Sequence, residues 1–481
     1  MTSSTNQNTS HILVLGGGES GFGAALLAHH RKFQVLLSDK GRLQSKYREP
    51  LAEAGILFEE GTHTLAEQWL RQAQEGQIQL EIIKSPGIPD KVPLIQQALA
   101  IGIPIISEIE FGARYTQAII VAITGSNGKT TTATLIHHLM QQAGLSVGLG
   151  GNIGESFAKQ VIDDPYPYWV LEVSSFQLDN CFQFRPKVAV LLNITPDHLD
   201  RYDYVFERYI DSKFRICQAQ QADDYFIYSF ESKPIVDTIR QRGDLEPYAL
   251  PFMIDKPEAA SPTNRAFVAD GQIIANVTLH AEQSKFSFPV NELTIKGKHN
   301  LSNAMAAILA CQALDVKPEK IVKGLKTFRT IEHRLEEVAT IRGVKFYNDS
   351  KATNVDAVYY ALEAFARQKG KIIWIAGGTD KGNDYAPLLP LVRGAVSTLV
   401  CLGLDNEKLV ETFSPHIPHV HQTTHISEAV SMAYAAAQPG DIVLLSPACA
   451  SFDLFKNYED RGRQFKQAVK ALYKRQGETD I

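Results

Sequence analysis

Short apolar, β-branched runs alternate with helically spaced segments along most of this chain. That alternation predicts parallel sheets covered by helices. The first run, His11-Ile-Leu-Val-Leu15, leads into Gly16-Gly-Gly-Glu-Ser-Gly21 and a helical stretch from Phe22 to His30. Gln34-Val-Leu-Leu-Ser38 ends at Asp39, and Leu80-Glu-Ile-Ile-Lys-Ser-Pro-Gly87 reads as a strand ending in a Pro-Gly turn. A new series starts near Ala118. It contains a strand ending at Ile123, Tyr168-Trp-Val-Leu-Glu-Val-Ser-Ser175 and Val188-Ala-Val-Leu-Leu-Asn-Ile-Thr195, with a helix from Asn303 to Leu314. Between Phe226 and Val290 the pattern breaks into short strands and turns, including Asp270-Gly271, which predicts a small antiparallel addition. A third series follows from about Phe328: Val344-Lys-Phe-Tyr347, Lys371 to Ala376, Thr398 to Leu402 and Asp441 to Ser446.

A chain of 481 residues exceeds one compact core, and the usual domain size suggests about three domains. Residues 1–10 are expected to be a disordered tail. The domains fall at 11–112, 113–326 and 327–481. The fold class is α/β: a Rossmann-like N-terminal domain, a central phosphate-loop domain carrying the antiparallel addition, and a Rossmann-like C-terminal domain. A net charge of −5 leaves no basic excess for nucleic acid. The five cysteines never fall in C-x-x-C spacing, which argues against a zinc site or disulfide framework. No run is long and apolar enough for a membrane span, and the polar N-terminus lacks the parts of a signal peptide. A cytoplasmic location is the expectation.

Val121-Ala-Ile-Thr-Gly-Ser-Asn-Gly-Lys-Thr-Thr-Thr132 carries the clearest chemistry. Gly125, Asn127 and Gly128 form a tight loop between a strand and a helix beginning near Thr130. Its amides and the helix N-terminus suit phosphate oxygens. Lys129 supplies a mobile cation for the β- and γ-phosphates, and Thr130 a hydroxyl for Mg²⁺, with Thr131 beside it. The loop is shorter than the usual G-x-x-x-x-G-K-[ST]. Glu172, at a strand end in the same series, is a hard oxygen ligand for Mg²⁺ or a solvent-facing carboxylate. His198, in Thr195-Pro-Asp-His198, reads as a metal or substrate group or as a structural histidine. Asn300 and Asn303 stand at a helix start, where one of them can be a cap. Arg334 reads equally as a phosphate clamp or as a partner of Glu336. Gly16, Gly18 and Gly21, followed by a second strand ending in Asp39, fit a diphosphate-binding turn. Three polar loops, two of them bearing a lysine, end strands of the third series: Asn348 to Asn354, Gly377 to Gly382 and Ser446 to Asp453. Gathered at one sheet edge, they suit an anionic small molecule.

The phosphate loop, Gly150-Gly-Asn-Ile-Gly154, Glu172-Val-Ser-Ser-Phe-Gln177, Asp197-His198 and Gly297-Lys-His-Asn300 together resemble the Mur ligase family. Asn348-Asp-Ser-Lys-Ala-Thr-Asn354, Ser446-Pro-Ala-Cys-Ala-Ser-Phe-Asp-Leu-Phe-Lys456 and Arg461-Gly462 are similar to its D-glutamate-adding branch. The similarity runs from about Ile12 to Gln464, and Phe452 departs from it, a leucine being familiar there.

The resemblance implies an ATP-dependent ligase of peptidoglycan precursor synthesis. It joins D-glutamate to UDP-N-acetylmuramoyl-L-alanine through an acyl phosphate, with ATP and two Mg²⁺, as a monomer. It implies catalytic roles for Lys129, Glu172, His198 and Lys213, the last as a carbamate. Thr130, Glu172, His198 and carbamylated Lys213 are its metal positions. Gly125, Asn127, Gly128, Lys129, Thr130, Thr131, Asn303, Arg334, Asp349 and Lys351 match nucleotide positions. Gly18, Ser38, Asp39, Ser85, Pro86, Gly87 and Asn152 match the UDP-substrate site. Thr353, Lys381, Ser451, Phe452 and Tyr458 match the D-glutamate pocket. Without the resemblance, Lys213 reads as an exposed helix lysine paired with Asp211 or Glu207. Two rivals stay open: a dehydrogenase using Gly16–Gly21 and Asp39, and a non-catalytic binding protein on the same fold.

Overall fold

The computed structural model describes residues 10–243, 245–255, 264–279, 282–295, 297–329, 332–365, 368–380 and 382–475. The expected tail therefore lies outside the described residues, except for Ser10. So does Lys381. The chain divides into two compact units, one of residues Met1–Glu292 with Ser302–Thr327, the other of Leu293–Leu301 with Phe328–Ile481.

The first unit holds two sheets. β1 (His11–Leu15), β2 (Gln34–Asp39), β3 (Leu57–Glu60), β4 (Leu80–Lys84) and β5 (Ile105–Ile106) form an all-parallel sheet in the order β3-β2-β1-β4-β5. This is the Rossmann-like arrangement the glycine turn predicted. The second sheet contains β6 (Ile119–Thr124), β7 (Val147–Gly151), β8 (Tyr168–Glu172), β9 (Val188–Leu191), β10 (Tyr225–Ser229), β11 (Tyr248–Phe252), β12 (Arg265–Ala269), β13 (Gln272–Leu279) and β14 (Glu282–Pro289). Its order is β14-β13-β12-β11-β10-β9-β6-β8-β7. Its central strands are buried on both faces, hence their unbroken apolar runs: β9 is buried throughout.

The antiparallel addition is smaller than the sequence suggested. β10 and β11 pair in parallel and continue the main sheet, with helix Lys233–Arg242 as their crossover. Only β12, β13 and β14 pair antiparallel with one another, and Asp270-Gly271 makes the first of their turns with positive φ at both residues.

One hydrophobic core runs through both sheets of this unit, from Val14 and Leu37 through Phe111 and Phe157 to Trp169 and Ala189. Helix Glu19–His30 and the short helix Phe157–Gln160 meet there. Glu108 bridges the join: one carboxylate oxygen, Oε1, accepts from the Ser156 hydroxyl and the Ala158 amide, each at 2.6 Å. No hydrogen-bond partner meets its Oε2 among the described residues.

In the second unit β15 (Glu336–Ile341), β16 (Val344–Asn348), β17 (Ile372–Gly377), β18 (Val396–Leu402), β19 (His419–Thr423) and β20 (Ile442–Ala448) follow the order β15-β16-β20-β17-β18-β19. All neighbours are parallel except β15 and β16. Trp374 on β17 is fully buried and donates its indole N–H to the Ser446 carbonyl at 2.7 Å. The five cysteines are buried free thiols. Among the described residues no helix is long and apolar enough to cross a membrane.

Candidate active site

β6 lies between β9 and β8, so the C-terminal ends of these three strands bring together the Gly125–Gly128 loop, Asn193 and Glu172. The loop backbone turns through φ +88° at Gly128, a conformation that favours glycine. A side chain there would also meet the Asn303 amide oxygen at 2.4 Å, so Asn303 sits directly on the loop. Helix Lys129–Gln142 then starts with its free N–H groups at the loop.

Asn193 braces the loop from β9's end. Its Oδ1 accepts from the Asn127 amide at 2.9 Å, and its Nδ2 donates to the Asn127 carbonyl at 3.0 Å. The Ser126 hydroxyl donates to the Thr195 carbonyl and accepts from its amide. The sequence reading passed over Asn193 because it sits at the end of an apolar run and belongs to no motif.

Lys129 Nζ donates to the Gly125 and Ser126 carbonyls at 2.8 and 2.9 Å. Lys213, on helix Phe206–Phe214, is only 1% exposed and donates to the same Gly125 carbonyl at 2.9 Å. Burial, with the Lys129 charge behind it, depresses the Lys213 ammonium pKa well below the ordinary lysine value. Lys213 Nζ also lies 4.5 Å from the Tyr209 ring centre. Lys213 is therefore not an exposed helix lysine, and Asp211 pairs instead with Arg242.

Glu172 is 2% exposed at the end of β8. Asn152 joins it, donating its side-chain amide to Glu172 Oε1 at 3.0 Å and its backbone N–H to the Glu172 carbonyl at 2.7 Å. His198 lies on the loop after β9 with φ +52°, its Nε2 3.7 Å from Asp197 and its ring edge-on to Phe176. Thr130 and Thr131 are buried in the first turn of their helix. Among the described residues no three His, Cys, Asp or Glu side chains cluster as a metal cage. A cation here would take its remaining oxygens from phosphates and water. That donor set suits Mg²⁺, which keeps several waters and binds through few carboxylates.

The first sheet holds its own polar edge. Asp39 accepts from the Gly17 and Gly41 amides at 2.6 Å each, locking the turn that ends at Gly18, the cap of helix Glu19–His30. Ser38 is fully buried; its hydroxyl donates to Glu59 at 2.8 Å and lies 2.6 Å from His63 Nδ1. Ser85 closes against the Gly16 carbonyl at 3.3 Å, ahead of Pro86 and Gly87.

In the second unit β16, β20 and β17 are neighbours, so the three motif loops share one sheet edge. Asp349 is buried and accepts from the Ser446 hydroxyl at 2.8 Å and the Leu335 amide at 3.2 Å. Burial pushes its carboxyl up to about 7, against the opposing pull of Ser446 and Arg334. Lys351 Nζ lies 5.4 Å from the Tyr458 ring centre, and the Thr353 amide donates to the Lys351 carbonyl. Ser451 is buried, whereas Phe452 is 73% exposed.

Arg461 is the residue whose part was least visible. It is 1% exposed and donates to the Ser350 hydroxyl and carbonyl, the Cys449 carbonyl and the Gly377 carbonyl, stapling three strand ends. Gly462 is required beside it, because a Cβ there would come within 2.1 Å of His333 Nδ1.

Residues 123–311 match the model of the Mur ligase middle domain, and residues 333–449 that of the Mur ligase glutamate ligase domain. Over 461 residues the chain is 47% identical to the UDP-N-acetylmuramoylalanine--D-glutamate ligase of Christiangramia forsetii, covering 96% of this chain and 99% of that one. With the same-named ligase of Porphyromonas gingivalis the identity is 50% over 460 residues, 95% and 98% of the two chains. Among solved structures, UDP-N-acetylmuramate-alanine ligase MurC from Thermotoga maritima superposes with a TM-score of 0.57 at 17% identity, covering 96% of this chain and 99% of that one. The MurF ligase of the same organism, solved in complex with ADP, gives a TM-score of 0.55 at 17% identity over 79% and 92% of the chains.

Proposed function

Because the chain belongs to the Mur ligase family, we propose that it joins D-glutamate to UDP-N-acetylmuramoyl-L-alanine at the expense of ATP, in cytoplasmic peptidoglycan precursor synthesis. The observation that carries this reading is near-full-length identity of 47% and 50% to ligases named for that reaction. The dehydrogenase alternative leaves the phosphate loop without a purpose. The non-catalytic one leaves a buried lysine with a depressed pKa beside that loop unexplained.

A carboxylate is a poor acyl donor until one of its oxygens becomes a good leaving group. In the proposed reaction an oxygen of the L-alanine carboxylate takes the γ-phosphoryl group of ATP, and ADP leaves. The D-glutamate amine then attacks the acyl carbon, loses a proton, and phosphate departs with the bridging oxygen. The Gly125–Gly128 amides and Lys129 would hold the transferring phosphoryl group, where preorganised donors act on developing charge. Asn127, Thr131, Asn303, Arg334, Asp349 and Lys351 would be the further nucleotide-binding residues.

Thr130, Glu172, His198 and carbamylated Lys213 would hold two Mg²⁺, which when bound neutralise phosphate charge. The Lys213 carbamate forms when the neutral amine attacks CO₂: an N–C bond forms and one proton is released. Its depressed pKa supports this, since the ammonium has no lone pair to offer. Gly18, Ser38, Asp39, Ser85, Pro86, Gly87 and Asn152 would bind the UDP-linked substrate. Thr353, Lys381, Ser451, Phe452 and Tyr458 would bind D-glutamate, with the protein acting as a monomer.

The test is phosphate release with each substrate omitted in turn and with a panel of L- and D-amino acids. The proposal expects release only with ATP, UDP-N-acetylmuramoyl-L-alanine and D-glutamate together. Preference for another amino acid, or release without the UDP substrate, would overturn it.

A further inference from the structure

The loop Pro86-Gly87-Ile88, at the end of β4 in the first sheet, directs three successive carbonyls at one side chain from the second sheet's loops. Arg201 donates to the Gly87 carbonyl at 3.3 Å and to the Pro86 and Ile88 carbonyls at 3.2 Å each. Its guanidinium carbon lies 4.4 Å from the centre of the Phe176 ring, and the centres of the Phe176 and His198 rings are 5.2 Å apart. Arg201 sits three residues after His198, and its own amide donates to the His198 carbonyl at 3.0 Å. One planar cation thus ties the Ser85–Ile88 loop to the aromatic wall beside His198.

We propose that Arg201 is a positioning residue for the UDP-linked substrate, fixing the Pro86–Ile88 loop relative to the His198 strand end. The inference rests on the reaction proposed above. Pro86 and Gly87 follow one strand of the first sheet, and His198 follows a strand of the second, so a substrate bridging them needs their spacing set before it binds. Ordering three consecutive loop residues costs backbone entropy. A bound guanidinium meets that cost in advance, so less substrate affinity is lost to ordering. Arginine suits the task because its flat fork reaches several carbonyls while its face rests on an aromatic ring. An ammonium is a single point donor and cannot span the same set.

Neighbouring contacts support the anchor on both sides. On the loop side, buried Lys84 pairs with Asp90, and the Ile88 amide closes a turn onto the Ser85 carbonyl. On the other side, the Tyr202 hydroxyl donates to Asp179 at 3.1 Å and lies 3.3 Å from the Ser212 hydroxyl, which donates to the Ser175 carbonyl at 2.9 Å. Arg201 therefore joins two segments that are each already held.

The experiment measures KM for each substrate and kcat in wild type, Arg201→Met and Arg201→Lys, with calorimetric titration of UDP-N-acetylmuramoyl-L-alanine in the absence of ATP. Arg201→Met keeps the stem on Phe176 but removes every donor. The expected result is a KM and a Kd for the UDP substrate raised roughly 10- to 100-fold, as for loss of a charged hydrogen-bonding group. KM for ATP and for D-glutamate stays near wild type, and Arg201→Lys falls between the two. A folded Arg201→Met with an unchanged KM for the UDP substrate overturns the proposal, as does an equal rise in all three KM values. Should Arg201→Met fail to fold, Arg201→Lys decides on the same criteria. A wild-type enzyme that turns over none of these substrates overturns the functional reading, and this proposal with it. An active wild type with an indifferent variant overturns this proposal alone.

Discussion

Lys129 and Lys213 donate to one acceptor, the Gly125 carbonyl, at 2.8 and 2.9 Å. Two ammonium groups on a single oxygen repel, and the buried one gives way. Lys213 is the buried one, so its pKa falls first through desolvation and then through the Lys129 charge. The crowding at this carbonyl biases Lys213 toward the neutral amine that carbamate formation needs.

Lys129→Met should cut phosphate release by about 10²–10³-fold or more, the scale for removing a preorganised group from a developing charge. Its melting temperature should stay close to wild type, because the side chain is only half-buried at the start of its helix. Near-normal turnover in this variant would remove the phosphate-loop assignment.

Lys213→Ala should lose most activity and regain part of it with added short carboxylic acids, whose carboxylate replaces the missing carbamate. Wild-type activity should also fall in CO₂-depleted buffer and recover on adding bicarbonate. The remaining dependence runs upward with pH, since carbamate formation needs the unprotonated amine. Full activity of Lys213→Ala without additive would reject the carbamate.

Glu108 gives a pH dependence of stability. Burial raises its carboxyl from 4.5 to about 7. The folded state therefore holds a proton that the unfolded state has released, and this stabilisation is complete below pH 4.5 and lost as pH rises through 7. Glu108→Gln keeps one acceptor for Ser156 and Ala158 and removes the ionisation. Relative to wild type it should gain stability from pH 5 to 8, by up to about 3 kcal/mol at 1.36 kcal/mol per pKa unit. Thermal unfolding of both proteins across that range checks it; parallel curves would contradict the buried-proton account.

Arg461→Met should destabilise the second unit by roughly 3–5 kcal/mol, the usual consequence of stripping one partner from a buried charged network. The Ser350, Cys449 and Gly377 carbonyls would lose their donor without gaining water. Denaturant unfolding followed by Trp374 fluorescence, in a background with Trp69 and Trp169 replaced by Phe, reads that unit, and an unmoved midpoint would refute the staple.

The central elements of the fold were legible because strands buried on both faces are nearly all apolar, as in β9 and β17. Edge strands were not. His419-Val-His-Gln-Thr423 forms β19 with only Thr423 buried, and Leu57-Phe-Glu-Glu60 forms β3, so neither shows an apolar run. β10 and β11 were misread as part of an antiparallel addition because strand length and turns do not reveal pairing direction. The intervening helix Lys233–Arg242 does, by giving the chain room to cross over. The phosphate loop announced itself through glycine, lysine and threonine spacing. Asn193 did not, because its partner lies 66 residues away. The resemblance pointed to Lys213, while its burial and its shared carbonyl emerged only with the fold. Arg461 appeared in a motif without its reason, which is the convergence of three strand ends.

Labelled oxygen tests the central claim most directly. UDP-N-acetylmuramoyl-L-alanine carrying ¹⁸O at both oxygens of its free carboxylate is incubated with ATP and D-glutamate, and the released phosphate is examined by mass spectrometry. If the carboxylate is activated as an acyl phosphate, the bridging oxygen leaves with phosphorus. Each phosphate then carries one ¹⁸O and the amide keeps the other. Unlabelled phosphate, or label appearing in AMP with release of pyrophosphate, would contradict phosphoryl transfer to the carboxylate and the role given to the Gly125–Lys129 loop.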